Sequence, residues 1–165
     1  MTNAMVEGIA VELGIGFLVV MTPIMLLANK AIGKPWEREA EQMKAALAGA
    51  PLAHSEDGVP LRIAGIAPFS LSVRWRIADL RIDGRALYVM QYYRSWGTRV
   101  AQPNLRVTWT REPAVGGFLA APIVGEPKLD GDAVVVPVEL RHSSLWLRIR
   151  ARDPLAVLNA LNGMR

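Results

Sequence analysis

The chain has no cysteine and only two histidines, His54 and His142. The first absence excludes a disulfide framework, zinc–thiolate sites, iron–sulfur clusters and cysteine catalysis. It does not fix a compartment, because a cysteine-free chain suits either redox environment. The second leaves little material for a metal centre or a proton relay, and no cofactor is implied. No Walker A loop, HExxH or GxSxG pattern occurs. Gly14-Ile15-Gly16 lies inside an apolar run rather than after a strand, so it is not a dinucleotide loop. Asp130-Gly131-Asp132 lacks the remaining calcium ligands and reads as a hairpin turn. His142-Ser143-Ser144 reads as a polar turn. A non-catalytic protein is expected.

Lysine is also scarce, with four against fifteen arginines. Residues 1–52 carry four basic and five acidic side chains, while residues 53–165 carry fifteen basic and ten acidic. The modest, arginine-dominated excess argues against nucleic acid and toward an anionic partner, since guanidinium groups fork onto carboxylates and phosphates. The chain has 165 residues, of which 52% are hydrophobic and 21% charged, with mean hydropathy +0.22. That is enough for one core-forming domain and one appendage, and it excludes disorder and a bare coiled coil.

The appendage is N-terminal. Leu13–Asn29 contains no charge, and as a helix it would span about 26 Å. Extended back over 8–11 it predicts a single transmembrane anchor over about 9–29. Glu12 lies one turn inside its end, and Pro23 is a tolerated interruption. A cleaved signal peptide fits poorly, because Glu7 and no basic residue precede the run. Lys30, Lys34, Arg38 and Lys44 all follow it, predicting an inner-membrane protein with its N-terminus outside and its body in the cytoplasm. Glu12, Lys30, Lys34 and Trp36 would then lie at the membrane interface. Gly33 and Pro35 predict a break, followed by an amphipathic connector helix over 35–50 with Trp36, Ala40, Met43 and Leu47 on one stripe. That stripe suits the lipid surface, a partner helix or the chain's own β domain. Residues 51–60 read as a linker.

After Pro60 the apolar spacing changes to alternation, which predicts strands. Candidates are Leu61–Ile66, Leu71–Ile77, Arg85–Tyr93 after the Asp83-Gly84 turn, Leu105–Trp109, one within Gly117–Val124, Val134–Leu140 and Leu145–Ala151. Pro137 marks an edge or a bulge. Asp153 as N-cap, Pro154 in the first turn and Gly163 as stop predict a C-terminal helix over 154–162. Its Leu155, Leu158 and Leu161 would plug an open barrel end. The fold class is therefore mainly β, an antiparallel sandwich or partly open barrel of about seven strands closed by a helix.

The β domain with this helix is expected over 61–165. About seven antiparallel strands followed by the DPLAVLNAL helix, together covering residues 60–163, resemble the pleckstrin-homology-like fold, whose bacterial members are often joined to transmembrane segments. The resemblance implies a binding module, since that family includes anionic-lipid binders, peptide binders and oligomer-forming domains. The loop between Leu61–Ile66 and Leu71–Ile77 has no Lys/Arg cluster of the phosphoinositide-binding type.

Arg148, Arg150 and Arg152 share one strand face with Trp146, and Arg74 and Arg76 share the outer face of another. On neighbouring strands these five would form a basic wall for acidic partner side chains or phosphates, with Trp146 stacking on one of them. Alternatively, they are polar outward positions neutralised by Asp79, Glu139 and Asp153. Residues 112–127 are proline- and glycine-rich, yet hold Phe118, Leu119 and Ile123, which form either a docking loop or an irregular strand in the core. The expected function is a membrane-anchored scaffold or assembly subunit. Its partners would be the bilayer and another membrane protein or a second copy. The alternative is an anionic-lipid or small-ligand binder.

Overall fold

The protein is described by a computed structural model covering residues 3–65, 76–95, 97–140 and 143–165, without the side chains of 3–20, 25, 26, 29, 30 and 95. Among the described residues, one helix, α1 (Asn3–Leu47), leads into nine strands and a last helix. The strands are β1 (His54–Ala64), β2 (Arg76–Ile82), β3 (Leu87–Ser95), β4 (Thr98–Ala101), β5 (Leu105–Thr108), β6 (Leu119–Pro122), β7 (Lys128–Asp130), β8 (Ala133–Leu140) and β9 (Ser143–Ile149), followed by α2 (Pro154–Asn162).

All nine strands form one sheet in the order β6-β5-β3-β2-β1-β9-β8-β7, with β4 pairing the far end of β3. The sheet curls until its ends meet. Ile123, just past β6, bridges Val138 of β8, and the Val124 amide donates to the Pro137 carbonyl at 3.0 Å. Pro137 is tolerated because it lies past the end of β7, where β8 is bound on that side only through this seam. Inside the curl, Leu61, Ile63, Leu80, Ile82, Leu87, Val89, Val107, Val136 and Leu147 form the main core.

The C-terminal helix closes one end. Asp153 caps it by accepting the Ala156 amide at 2.9 Å, and Pro154 occupies the first turn. Val157, Leu161 and Met164 enter the core, while Leu155 stays exposed. The plugging face is thus rotated from the one read off the leucines. Trp109 ties it down by donating Nε1–H to the Leu161 carbonyl at 2.9 Å.

Several expectations are corrected. Among the described residues no helix is long and apolar enough to cross a membrane. This overturns the anchor over 9–29 and, with it, the single-pass inner-membrane placement and its orientation; the interface roles expected of Glu12, Lys30, Lys34 and Trp36 rested on that anchor. The side chains of 9–20 lie outside the described residues, as do those of Lys30 and, within that stretch, Glu12. The described part of α1 soon meets Lys34, Glu37, Arg38, Glu39, Glu41 and Lys44. There is also no break at Gly33 or Pro35. Anchor and connector are one helix of 45 residues, about 68 Å long.

Among the described residues the strands number nine rather than about seven, and β5 pairs β6 in parallel, so the sheet is not wholly antiparallel. Most of the expected 51–60 linker is the start of β1, which carries a bulge between Glu56 and Val59. The expected strand over 71–77 falls largely outside the described residues.

Candidate interaction surfaces

The outer side of β3 is covered by the last turns of α1. Ala40 and Leu47 bury against Ala86, Tyr88, Met90 and Phe118, with Met43 packed alongside. Tyr88 and Phe118 meet edge to face, with ring centroids 5.9 Å apart. The apolar stripe of the helix is therefore spent on its own domain. Gly33 permits close approach to β4, because a Cβ there would sit 3.1 Å from the Ala101 carbonyl oxygen. One turn on, the buried Asn104 amide donates to the Trp36 carbonyl at 2.8 Å. Trp36 thus belongs to the seam between helix and sheet.

An ionic latch fixes this seam. Asp79 lies on the outer face of β2 opposite Met90 and is 3% exposed. Its carboxylate accepts from Lys44 Nζ of α1 at 2.7 Å, Arg99 of β4 at 3.1 Å and the Gly58 amide in the β1 bulge at 3.0 Å. Burial alone would raise the Asp79 pKa. The Lys44 and Gly58 hydrogen bonds, with the charges of Lys44 and Arg99, outweigh it and hold the carboxyl below its ordinary value. Arg99 also lies over the Tyr92 ring, 3.6 Å from its centroid.

The arginine row behaves differently from the expected wall. Arg74 lies outside the described residues. Arg76 pairs in register with the core residue Leu61 and so shares a face with Ala78, Leu80 and Ile82. Ile77 takes the outward position, the reverse of the expected phase. Arg76 donates to Gln91 Oε1 at 2.9 Å, and burial lowers its pKa below the ordinary arginine value. Gln91 in turn donates to the Pro103 carbonyl, spanning the interruption between β4 and β5. Strand β1 separates β2 from β9, so the two arginine sets are not neighbours.

Trp146 and Arg148 of β9 share the outward face, Arg150 follows one residue past the strand's end, and acids from other elements accompany the arginines. Arg148 pairs with Asp130, and Arg150 Nε lies 3.1 Å from Asp132. Arg152, just beyond the strand, reaches Glu56 at 3.8 Å, and its amide donates to the same carboxylate at 3.0 Å. The acids named from sequence act elsewhere. Asp79 forms the latch, Glu139 pairs with Arg111, and Asp153 caps α2. Trp146 lies against Gly65, whose hypothetical Cβ would be 2.9 Å from the indole ring.

The proposed docking loop turns inward. Phe118 is fully buried beneath α1, Ile123 joins the main core, and half-buried Leu119 packs against it. The parallel β5–β6 connection carries them there. Gly116 and Gly117, at φ +57° and +78°, make the turn that delivers Phe118. Among the described residues no group of His, Asp and Glu is arranged to hold a metal ion.

Two features escaped the sequence reading. Asp79 is a lone acid within Ala78–Leu80 of a strand buried on both faces, a signal that it must be paired. Arg62 alternates with Leu61 and Ile63 and so stands on the outward face beside Arg148. Finally, α1 upstream of Gly33 exposes Ile24 (52%), Leu27 (69%) and Ile32 (59%). No family model, curated protein or solved structure matches the chain.

Proposed function

We propose that the chain is a non-catalytic binding and assembly module, a small β domain that mounts one long helix and joins another protein chain, a second copy included, through it. The observation that carries this reading is the exposure of Ile24, Leu27 and Ile32 within three turns of α1. Exposed aliphatic surface costs about 25 cal/mol per Å² relative to burial, and contiguous patches of it mark interaction sites. The sequence from Leu13 to Asn29 adds no charge to oppose association. The Asp79 latch and the Gly33 contact support the β domain's part as a mount that fixes where the helix leaves the sheet.

The pleckstrin-homology-like resemblance lends support through that family's peptide-binding and oligomer-forming members. The parallel β5–β6 pair departs from the antiparallel order on which it rests. An anionic-lipid or small-ligand reading has less support, because Arg76 shares the core face of β2 and β1 separates it from the β9 arginines, so the five-arginine wall that reading needed is not assembled.

The test is purification of the tagged full chain beside a variant carrying Ile24→Lys, Leu27→Lys and Ile32→Lys. A protein partner in fixed ratio with the parent chain, lost from the variant, is the expected result. An unchanged ratio, or a parent chain recovered alone, would refute the reading.

A further inference from the structure

A second surface, away from α1, covers the outer side of β1, β9 and β8. Arg62 of β1 stands directly opposite Arg148 of β9. Like charges in directly opposed positions destabilise a strand pair. Asp130 relieves Arg148, but Arg62 forms no ion pair with a described residue, and its Nε is buried without an acceptor. Across β8, pairing carries the row from Arg148 through Val135 to exposed Lys128. Two residues on, just past the end of β9, comes Arg150, and two residues back on the strand comes Trp146. That indole is 48% exposed, with Ala64 and Pro137 as its cross-strand neighbours. Arg62, Lys128, Arg148 and Arg150 therefore face Asp130 and Asp132, an excess of positive charge beside an open aromatic shelf.

We infer that this face docks an extended, carboxylate-bearing segment of a partner protein, with one apolar side chain on Trp146 and acidic side chains two and four residues further along. The spacing follows from strand geometry. Side chains on one face of an extended chain recur every two residues, about 6.6–6.8 Å, the same step that separates Trp146, Arg148 and Arg150. A guanidinium has five donors in a fixed fork, and Arg148 gives two of them to Asp130, so it keeps donors for a second carboxylate. A carboxylate between Arg62 and Arg148 cancels the repulsion of these directly opposed charges. This surface is distinct from the exposed part of α1, so the chain bridges two partners or two parts of one.

The experiment is titration of the full chain with a short labelled peptide carrying Trp-Ser-Glu-Ser-Glu, with its Glu-to-Gln counterpart, and with phosphatidylserine-containing vesicles. Saturable binding of the acidic peptide is expected, weakened about tenfold by Arg62→Glu, which corresponds to about 1.4 kcal/mol. Trp146→Ala weakens it as well. Arg85→Glu, the same charge change in the exposed β2–β3 turn, leaves it intact. Arg62→Gln, a milder change checked for folding by circular dichroism, gives a several-fold loss. Equal binding of the Glu and Gln peptides, an equal loss with Arg85→Glu, or binding to vesicles alone would overturn the inference.

Discussion

Asp79→Asn removes the charge at the centre of the latch with almost no change in shape. The aspartate accepts three hydrogen bonds, two of them from cations, and a hydrogen bond to a charged group contributes about 1.5–3 kcal/mol net. Breaking a fully buried ion pair costs about 3–5 kcal/mol because a charge is stranded. Here the stranded cost is smaller, since the Lys44 and Arg99 side chains are 23% and 43% exposed and can turn toward water. Relief of the buried carboxylate's own desolvation offsets part of the loss. The expected destabilisation is about 2 kcal/mol at pH 7, which for a chain of this length lowers Tm by roughly 4–8 °C.

The pH dependence has a definite sign. The folded carboxyl has a depressed pKa, so the unfolded state binds more protons in acid. The charge-dependent stabilisation is complete above the unfolded value, about pH 4, and is lost as pH falls through the folded one. Thermal unfolding of parent and variant should differ fully at pH 7 and progressively less below pH 4. Hydrogen exchange in residues 36–47 should speed up in the variant, since the latch holds that stretch of α1. Equal Tm values at pH 7, or a difference unchanged in strong acid, would refute the reasoning.

Other substitutions probe the same seam. Gly33→Val places branched bulk where a single Cβ already meets the Ala101 backbone at 3.1 Å. It should lift α1 from β4 and cost about 1–3 kcal/mol, read by denaturant unfolding together with hydrogen exchange in β4. Phe118→Ala empties the fully buried contact between α1 and Tyr88 and should cost about 3–5 kcal/mol by the same unfolding measurement.

The legible parts of this fold were those written in local spacing. Alternation marked β5, β8 and β9 to within a residue or two, Asp83-Gly84 marked the β2–β3 turn, and Asp153-Pro154 marked the start of α2. What failed depended on tertiary partners. The polar run from His54 to Asp57 reads as linker until Arg81 and Ile82 pair with it. Gly33 and Pro35 read as a break, although at Gly33 the unbroken helix packs on the Ala101 backbone. Arg76 sits among alternating residues whose phase only registration with Leu61 settles. The short strands β4 and β7 carry too few residues to show a period. For the surfaces, the β9 arginines were legible as an outward row. Their acidic companions come from the β7–β8 turn and from Glu56, far away in sequence, and Arg62 becomes conspicuous only once it stands opposite Arg148.

The central claim is that the exposed part of α1 joins this chain to another protein. The most direct measurement is the native mass of the purified full-length species, taken beside a chain with Ile24→Gln, Leu27→Gln and Ile32→Gln. The account predicts a discrete assembly of fixed stoichiometry for the parent and a single 18.1 kDa chain for the variant. A parent that travels alone at 18.1 kDa, or a variant that assembles equally well, would contradict it.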